Sequence, residues 1–188
     1  MQKEIAIYSS YPRTVKLVLG AILAALAALL QSAGVFTGIG YTLSVLTTGP
    51  IVMAAVISIR SGLLAYLVTI LLLLVLQPSE LFVFPFTTGL LGLSLGIGLR
   101  LCRLRWQTVL LAGASLGTGI LFLLYILRFP VLGPDLTAAS LGAGGLLGIF
   151  VFSLLYGWLW LWLSVLALRR VHKAVVRRVP AEQLGLEE

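Results

Sequence analysis

Apolar residues in this chain come in long uninterrupted runs, at about 15–33, 43–59, 63–77, 81–99, 108–127 and 139–168. A helix needs about 20 mainly apolar residues to cross roughly 30 Å of hydrocarbon, so the runs are read as transmembrane helices. A membrane β-strand would instead alternate apolar and polar positions over about ten residues, and runs such as ILLLLVL at 70–76 do not alternate. The predicted fold class is all-α: a polytopic integral membrane protein of six transmembrane helices, one domain over 1–188, ending in a basic tail at 169–188.

Punctuation between the runs follows helix-breaking chemistry. Pro12 stands where the first helix begins, and Gln77 and Pro78 end the third. Arg60, Ser61 and Gly62 read as a tight break between spans two and three. Residues 34–48 are uncharged and rich in Gly and Thr, which suits a re-entrant or partly buried loop before a short second span. The last run exceeds what a bilayer needs, so it should tilt, break near its glycines or project beyond the membrane.

Composition agrees with this reading. Of 188 residues 60% are hydrophobic and only 10% charged, and the mean hydropathy is +1.12. That leaves no room for a soluble domain beside the spans. The formal charge of +7 does not imply a nucleic-acid partner, because the basic residues are divided among short loops and the tail. Lys3, Arg13, Lys16, Arg60, Arg100, Arg103, Arg105, Arg169, Arg170, Lys173, Arg177 and Arg178, 12 of the 13 cations, fall on one side of a six-span arrangement, and Arg128 alone falls on the other. Loops rich in Lys and Arg stay cytoplasmic, so an even number of spans, a plasma (inner) membrane location and two cytoplasmic termini are expected. No A-x-A-like cleavage site follows the first run, which argues against a signal peptide.

Several chemistries find no support. Cys102 is the only cysteine and His172 the only histidine, so neither a cysteine metal cluster nor a histidine triad is expected. There is no phosphate-binding loop with its Lys and Ser or Thr, no H-E-x-x-H, and no carboxylate in the middle of a span. The expectation is a non-enzymatic protein without cofactor or metal, and without its own energy source.

Two groups of residues remain as candidates. Ala21, Ala24, Ala25 and Ala28 form small-xxx-small pairs on the first helix, a pattern that lets another helix approach closely in lipid. Gly92 with Gly96, Gly113 with Gly117, and Gly144 with Gly148 repeat that spacing and read as internal packing. On the outer side lie Glu80, Arg128 and Asp135 with Gln77, Thr87, Thr88, Tyr41 and Tyr125, and Thr47 and Thr48 add hydroxyls at similar depth. These form either a solvated rim or a pocket for a small polar molecule. Trp106, Trp158, Trp160 and Trp162 read as an interfacial belt on the inner side.

The stretches VKLVLGAILAALAALL (15–30), GPIVMAAVISIRSGLLAYLVTILL (49–72) and FPFTTGLLGLSLGIGLRL (84–101) resemble the substrate-binding S components of energy-coupling factor (ECF) transporters. The resemblance implies capture of a vitamin or micronutrient at the outer face, under the loop between spans one and two. By position it would assign Tyr41, Thr47, Thr48, Thr87, Tyr125 and Arg128 to substrate binding. It would assign Ala21, Ala24, Ala25 and Ala28 to docking on a transmembrane coupling subunit, with ATPase subunits supplying power. A second resemblance, at ALLQS (28–32), is to rod-shape determining proteins of the MreD type, which implies a membrane scaffold for cell-wall machinery.

Overall fold

The computed structural model describes residues 11–33, 40–129, 131–133 and 141–178. Eight α-helices are described: α1 (Arg13–Ser32), α2 (Gly40–Leu46), α3 (Thr48–Ile57), α4 (Ile59–Leu76), α5 (Glu80–Val83), α6 (Thr88–Leu101), α7 (Arg105–Tyr125) and α8 (Ala143–Arg178). A 3-10 turn at Phe84–Phe86 joins α5 to α6, and no strand occurs among the described residues. Five stretches are long and apolar enough to cross a membrane: Arg13–Ser32, Ile59–Leu76, Glu80–Leu101, Arg105–Tyr125 and Ala143–Val171. The second expected span is the short one. Its apolar helix covers Leu43–Ile57, which at 1.5 Å per residue rises only about 22 Å.

Short as it is, α3 is the centre of the bundle. Thr48, Pro50, Ile51, Val52 and all of 54–57 are buried, so nearly its whole circumference meets protein, as an all-round apolar helix must. It runs parallel to α6. Ile51 and the Thr48 carbonyl fill the space that a side chain at Gly92 would take, and Ala55 does the same at Gly96. At the far end the Arg100 guanidinium donates to the carbonyls of Val56 and, at 3.1 Å, Ile57, satisfying orphan acceptors at the C-terminus of α3.

The chain reverses at Ser58, whose extended backbone (φ −163°, ψ 139°) separates α3 from α4. This corrects the expected break at Arg60, Ser61 and Gly62, which lie in the first turn of α4. Gly62 serves close packing instead: a Cβ there would fall 2.5 Å from the Cα of Ala55. The two helices that meet at Ser58 can approach this closely at Ala55 and Gly62 only because that space is empty.

α1 lies parallel to α4, with Gly20 against Ser61 and the Thr69 hydroxyl 3.2 Å from the Ala24 carbonyl. α7 returns antiparallel to α6, where the hydroxyls of Ser94 and Ser115 meet at 2.7 Å and Gly119 receives the Phe86 carbonyl. α8 packs antiparallel on α7 through Gly113, which faces Leu154, and Gly157, which faces the Gly113 amide. Gly144 and Gly148 do not repeat this, for among the described residues neither has any atom within 4 Å of where a Cβ would stand. α8 begins at Ala143 and continues ten residues past 168; positions 139 and 140 of the expected span lie outside the described residues.

Side chains such as Leu17, Leu29, Leu71 and Val75 are exposed around the outside, the arrangement of a protein whose solvent is lipid. The two ends differ in charge. Arg13, Lys16, Arg60, Arg100, Arg103, Arg105, Arg169 and Arg170 sit where α1, α4 and α7 start, where α6 ends, and on the last turns of α8 beside them. Glu80, the sole carboxylate among the described residues, is at the opposite end.

Candidate functional site

The last turn of α1 carries Gln31, whose side chain is 0% exposed. Its amide nitrogen donates to Ser44 Oγ at 2.9 Å and to Glu80 Oε2 at 2.8 Å, and its amide oxygen accepts from Thr88 Oγ1 at 3.2 Å. Both N–H donors are thereby used. The Thr88 carbonyl in turn accepts a long 3.4 Å bond from Thr48 Oγ1. One network therefore joins α1, α2, α3, α5 and α6 at the Glu80 end of the bundle.

Around this network lie polar atoms with less complete bonding. The hydroxyls of Thr47 and Ser32 and the Oε1 of Gln77 are buried without a hydrogen-bond partner among the described residues. Leaving such a group unpaired costs about 1–3 kcal/mol. Glu80 is half-buried, at the rim of the cluster. Its position is fixed by the helix break that follows: Tyr66 donates to the Pro85 carbonyl at 2.9 Å and stacks on Phe84 with 5.8 Å between ring centres. Phe86 stacks on Phe122 of α7 at 4.7 Å.

The residues expected at a substrate site separate into groups. Thr47 and Thr48 are fully buried at the cluster. Thr87 lies beside it, but its hydroxyl turns back to the Val83 carbonyl at 2.8 Å. Tyr125 and Arg128 are exposed at the end of α7, and no hydrogen bond joins either to the Gln31 network among the described residues. Arg128 takes a left-handed backbone (φ 51°) in the turn that closes α7. The side chain of Tyr41, and Asp135, lie outside the described residues.

The four alanines of α1 also divide. Ala24 and Ala28 are buried, whereas Ala21 and Ala25 are exposed. Ala21 lines an apolar groove of about 290 Å³ between α1 and α4, together with Leu17, Gly20, Leu64 and Val68. The tryptophans do not form one belt either: Trp160 is buried with its ring near Gly49 of α3, while the other three are exposed.

Sequence reasoning placed Glu80 and Thr88 on the outer side but missed Gln31 and Ser44. The available signal was that Glu80 is the only carboxylate between Glu4 and Asp135. A lone acid between two spans needs a donor, and Gln31 is an amide at the end of another span. The assembled groups supply one negative charge, an amide and several hydroxyls, a set suited to hydrogen bonding a polar molecule. Among the described residues, no three His, Cys, Asp or Glu side chains come together to hold a metal ion. No protein-family model, curated protein or solved structure matches the chain.

Proposed function

We propose that this chain is the substrate-capturing subunit of a membrane importer, of the kind that its resemblance to ECF S components implies. In this reading α2 and α3 together complete a sixth crossing, the basic end is cytoplasmic, and a small polar molecule binds at the outer, Glu80 end. The observation that carries the proposal is the Gln31 network with its neighbouring unpartnered hydroxyls. Thr47 and Ser32 have bonding capacity that the described residues do not use, and Glu80 offers a charge to a donor group on the ligand. The exposed pair Ala21 and Ala25, beside the groove between α1 and α4, is the surface for a coupling subunit, and ATPase subunits supply the energy.

Native mass spectrometry of the protein gently extracted from its own membrane tests this. The expected result is a retained molecule of vitamin size, lost in Glu80→Gln, together with a copurifying coupling subunit that Ala21→Leu removes. A protein that retains no small molecule and brings down no such subunit overturns the proposal.

A second reading, a scaffold of the MreD type, draws support from one observation: the Gln31 amide donors are saturated by protein partners, as a purely structural tie would be. In that case Glu80→Gln alters stability only, and the copurifying proteins belong to the cell-wall machinery.

A further inference from the structure

At the basic end, α7 and α8 diverge around a groove of about 570 Å³. Val109, Leu110, Leu154, Leu161, Val165 and Leu166 form its apolar wall, and Arg105 and Arg169 are its charged lining residues. Trp106, Trp158 and Trp162 complete the lining, each with more than half of its surface exposed. We propose that this groove is a binding site for one anionic phospholipid, with the phosphate held between Arg105 and Arg169 and an acyl chain laid along the α7–α8 wall. The proposal rests on the chain's place in a membrane and is independent of the transporter reading.

Charge complementarity supports the anionic headgroup. Neither arginine has an ion-pair partner among the described residues, whose sole carboxylate, Glu80, is at the other end of the bundle. Two guanidiniums that donate to none of the described residues suit phosphate oxygens, which they can contact in a bidentate fashion. Basic recesses between helices on the cytoplasmic side are where such headgroups bind.

The length of the groove favours a lipid over a free phosphate. Along α8 the lining runs from Leu154 to Arg169, about 22 Å at 1.5 Å per residue. One leaflet contributes about 15 Å of hydrocarbon, half of the roughly 30 Å core, so headgroup and chain fit together along the wall. Trp106, next to Arg105, and Trp162, two turns of α8 before Arg169, place amphipathic rings between the arginines and the apolar wall, with an apolar body for the chain and a polar N–H for the headgroup; Trp158 lines the wall deeper along α8.

The test is native mass spectrometry of the full chain in detergent, titrated with phosphatidylglycerol or with phosphatidylcholine of the same acyl chains. Each cation near the headgroups favours an anionic lipid by a factor of about five, so the wild-type protein is expected to prefer phosphatidylglycerol by roughly tenfold or more. Arg105→Gln with Arg169→Gln should bring the ratio close to one, while Arg60→Gln, on α4, should leave it unchanged. Circular dichroism of each variant confirms that the helices are intact. Equal binding of the two lipids by the wild type overturns the proposal, as does a preference that survives the double substitution. Binding of free glycerol phosphate as tightly as the lipid would also refute it, because the apolar wall would then contribute nothing. A wild-type protein that stays dimeric and binds no lipid would assign the groove to a second copy.

Discussion

Replacing Gln31 by Leu tests whether the buried network holds the Glu80 end together. The substitution keeps the side chain's size and removes three hydrogen bonds at once, to Ser44, Glu80 and Thr88. Interhelical hydrogen bonds in membrane proteins average about 0.6 kcal/mol each, and one to a charged partner is worth about 1.5–3 kcal/mol. Together these give a loss of about 3 kcal/mol, large beside a total stability of about 5–15 kcal/mol. Reversible unfolding in mixed micelles, titrated with a denaturing detergent, measures it. The companion variant is the double substitution Gln31→Leu with Glu80→Leu. Removing both partners leaves no stranded amide or carboxylate, so it should be less destabilised than the sum of the two single changes by at least about 1 kcal/mol. A Gln31→Leu protein within about 0.5 kcal/mol of the wild type, with the pair strictly additive, would refute the assignment of this network as a stabilising tie.

Glycine positions should divide by what faces them. Gly96→Leu drives a side chain into Ala55 and the Val52 carbonyl and is expected to cost about 1–3 kcal/mol, whereas Gly144→Ala, with nothing within 4 Å among the described residues, should be neutral or gain up to about 1 kcal/mol of helix propensity in the same unfolding assay. Arg100→Met removes both bonds to the end of α3 and should cost about 2 kcal/mol; hydrogen exchange at the amides of 54–58, the last to donate within α3, should quicken, and unchanged exchange would refute the capping role. For orientation, a Ser79→Cys, Cys102→Ser protein in intact cells should react with a membrane-impermeant maleimide, and an Arg103→Cys, Cys102→Ser protein should not. The reverse pattern would invert the topology.

Some of this architecture was open to sequence reasoning and some was not, for identifiable reasons. Apolar run length is a local property, and five of the expected spans correspond to helical stretches of spanning length. The turn between α3 and α4 was misplaced because glycine has two uses: a run of Arg60, Ser61 and Gly62 resembles a break, yet Gly62 is required by its neighbour Ala55, which the sequence does not identify as a neighbour. On α1 the rows 21/25 and 24/28 are both small-xxx-small, with about 100° between successive residues, and only the positions of α3 and α4 decide which row is buried. Gln31 was missed because its partners, Ser44, Glu80 and Thr88, stand 13, 49 and 57 residues away. A polar residue at the end of a span has several possible fates, and tertiary contact selects among them.

The distribution of ties limits what a bound molecule at the Glu80 end could transmit. α3 and α6 are held along their length, by glycines at 92 and 96 and by Arg100 at the base. α1 and α4 are joined by Gly20 and by Thr69. Hydrogen bonds between α1 and either α5 or α6 at this end all pass through Gln31 among the described residues. A ligand that bonds Glu80 or Thr88 draws on the same acceptor and donor, so it exchanges protein bonds for its own. The shift it imposes on α1 cannot exceed its differential affinity for the tied and released arrangements, which for coupling between sites is typically about 1–3 kcal/mol. That matches the few hydrogen bonds at stake. Ala21 and Ala25 lie ten and six residues from Gln31 on the same helix, about 15 and 9 Å along its axis. In the transporter reading, one rigid helix therefore links the captured molecule to the docking surface, and Gln31 is the group through which occupancy would be sensed.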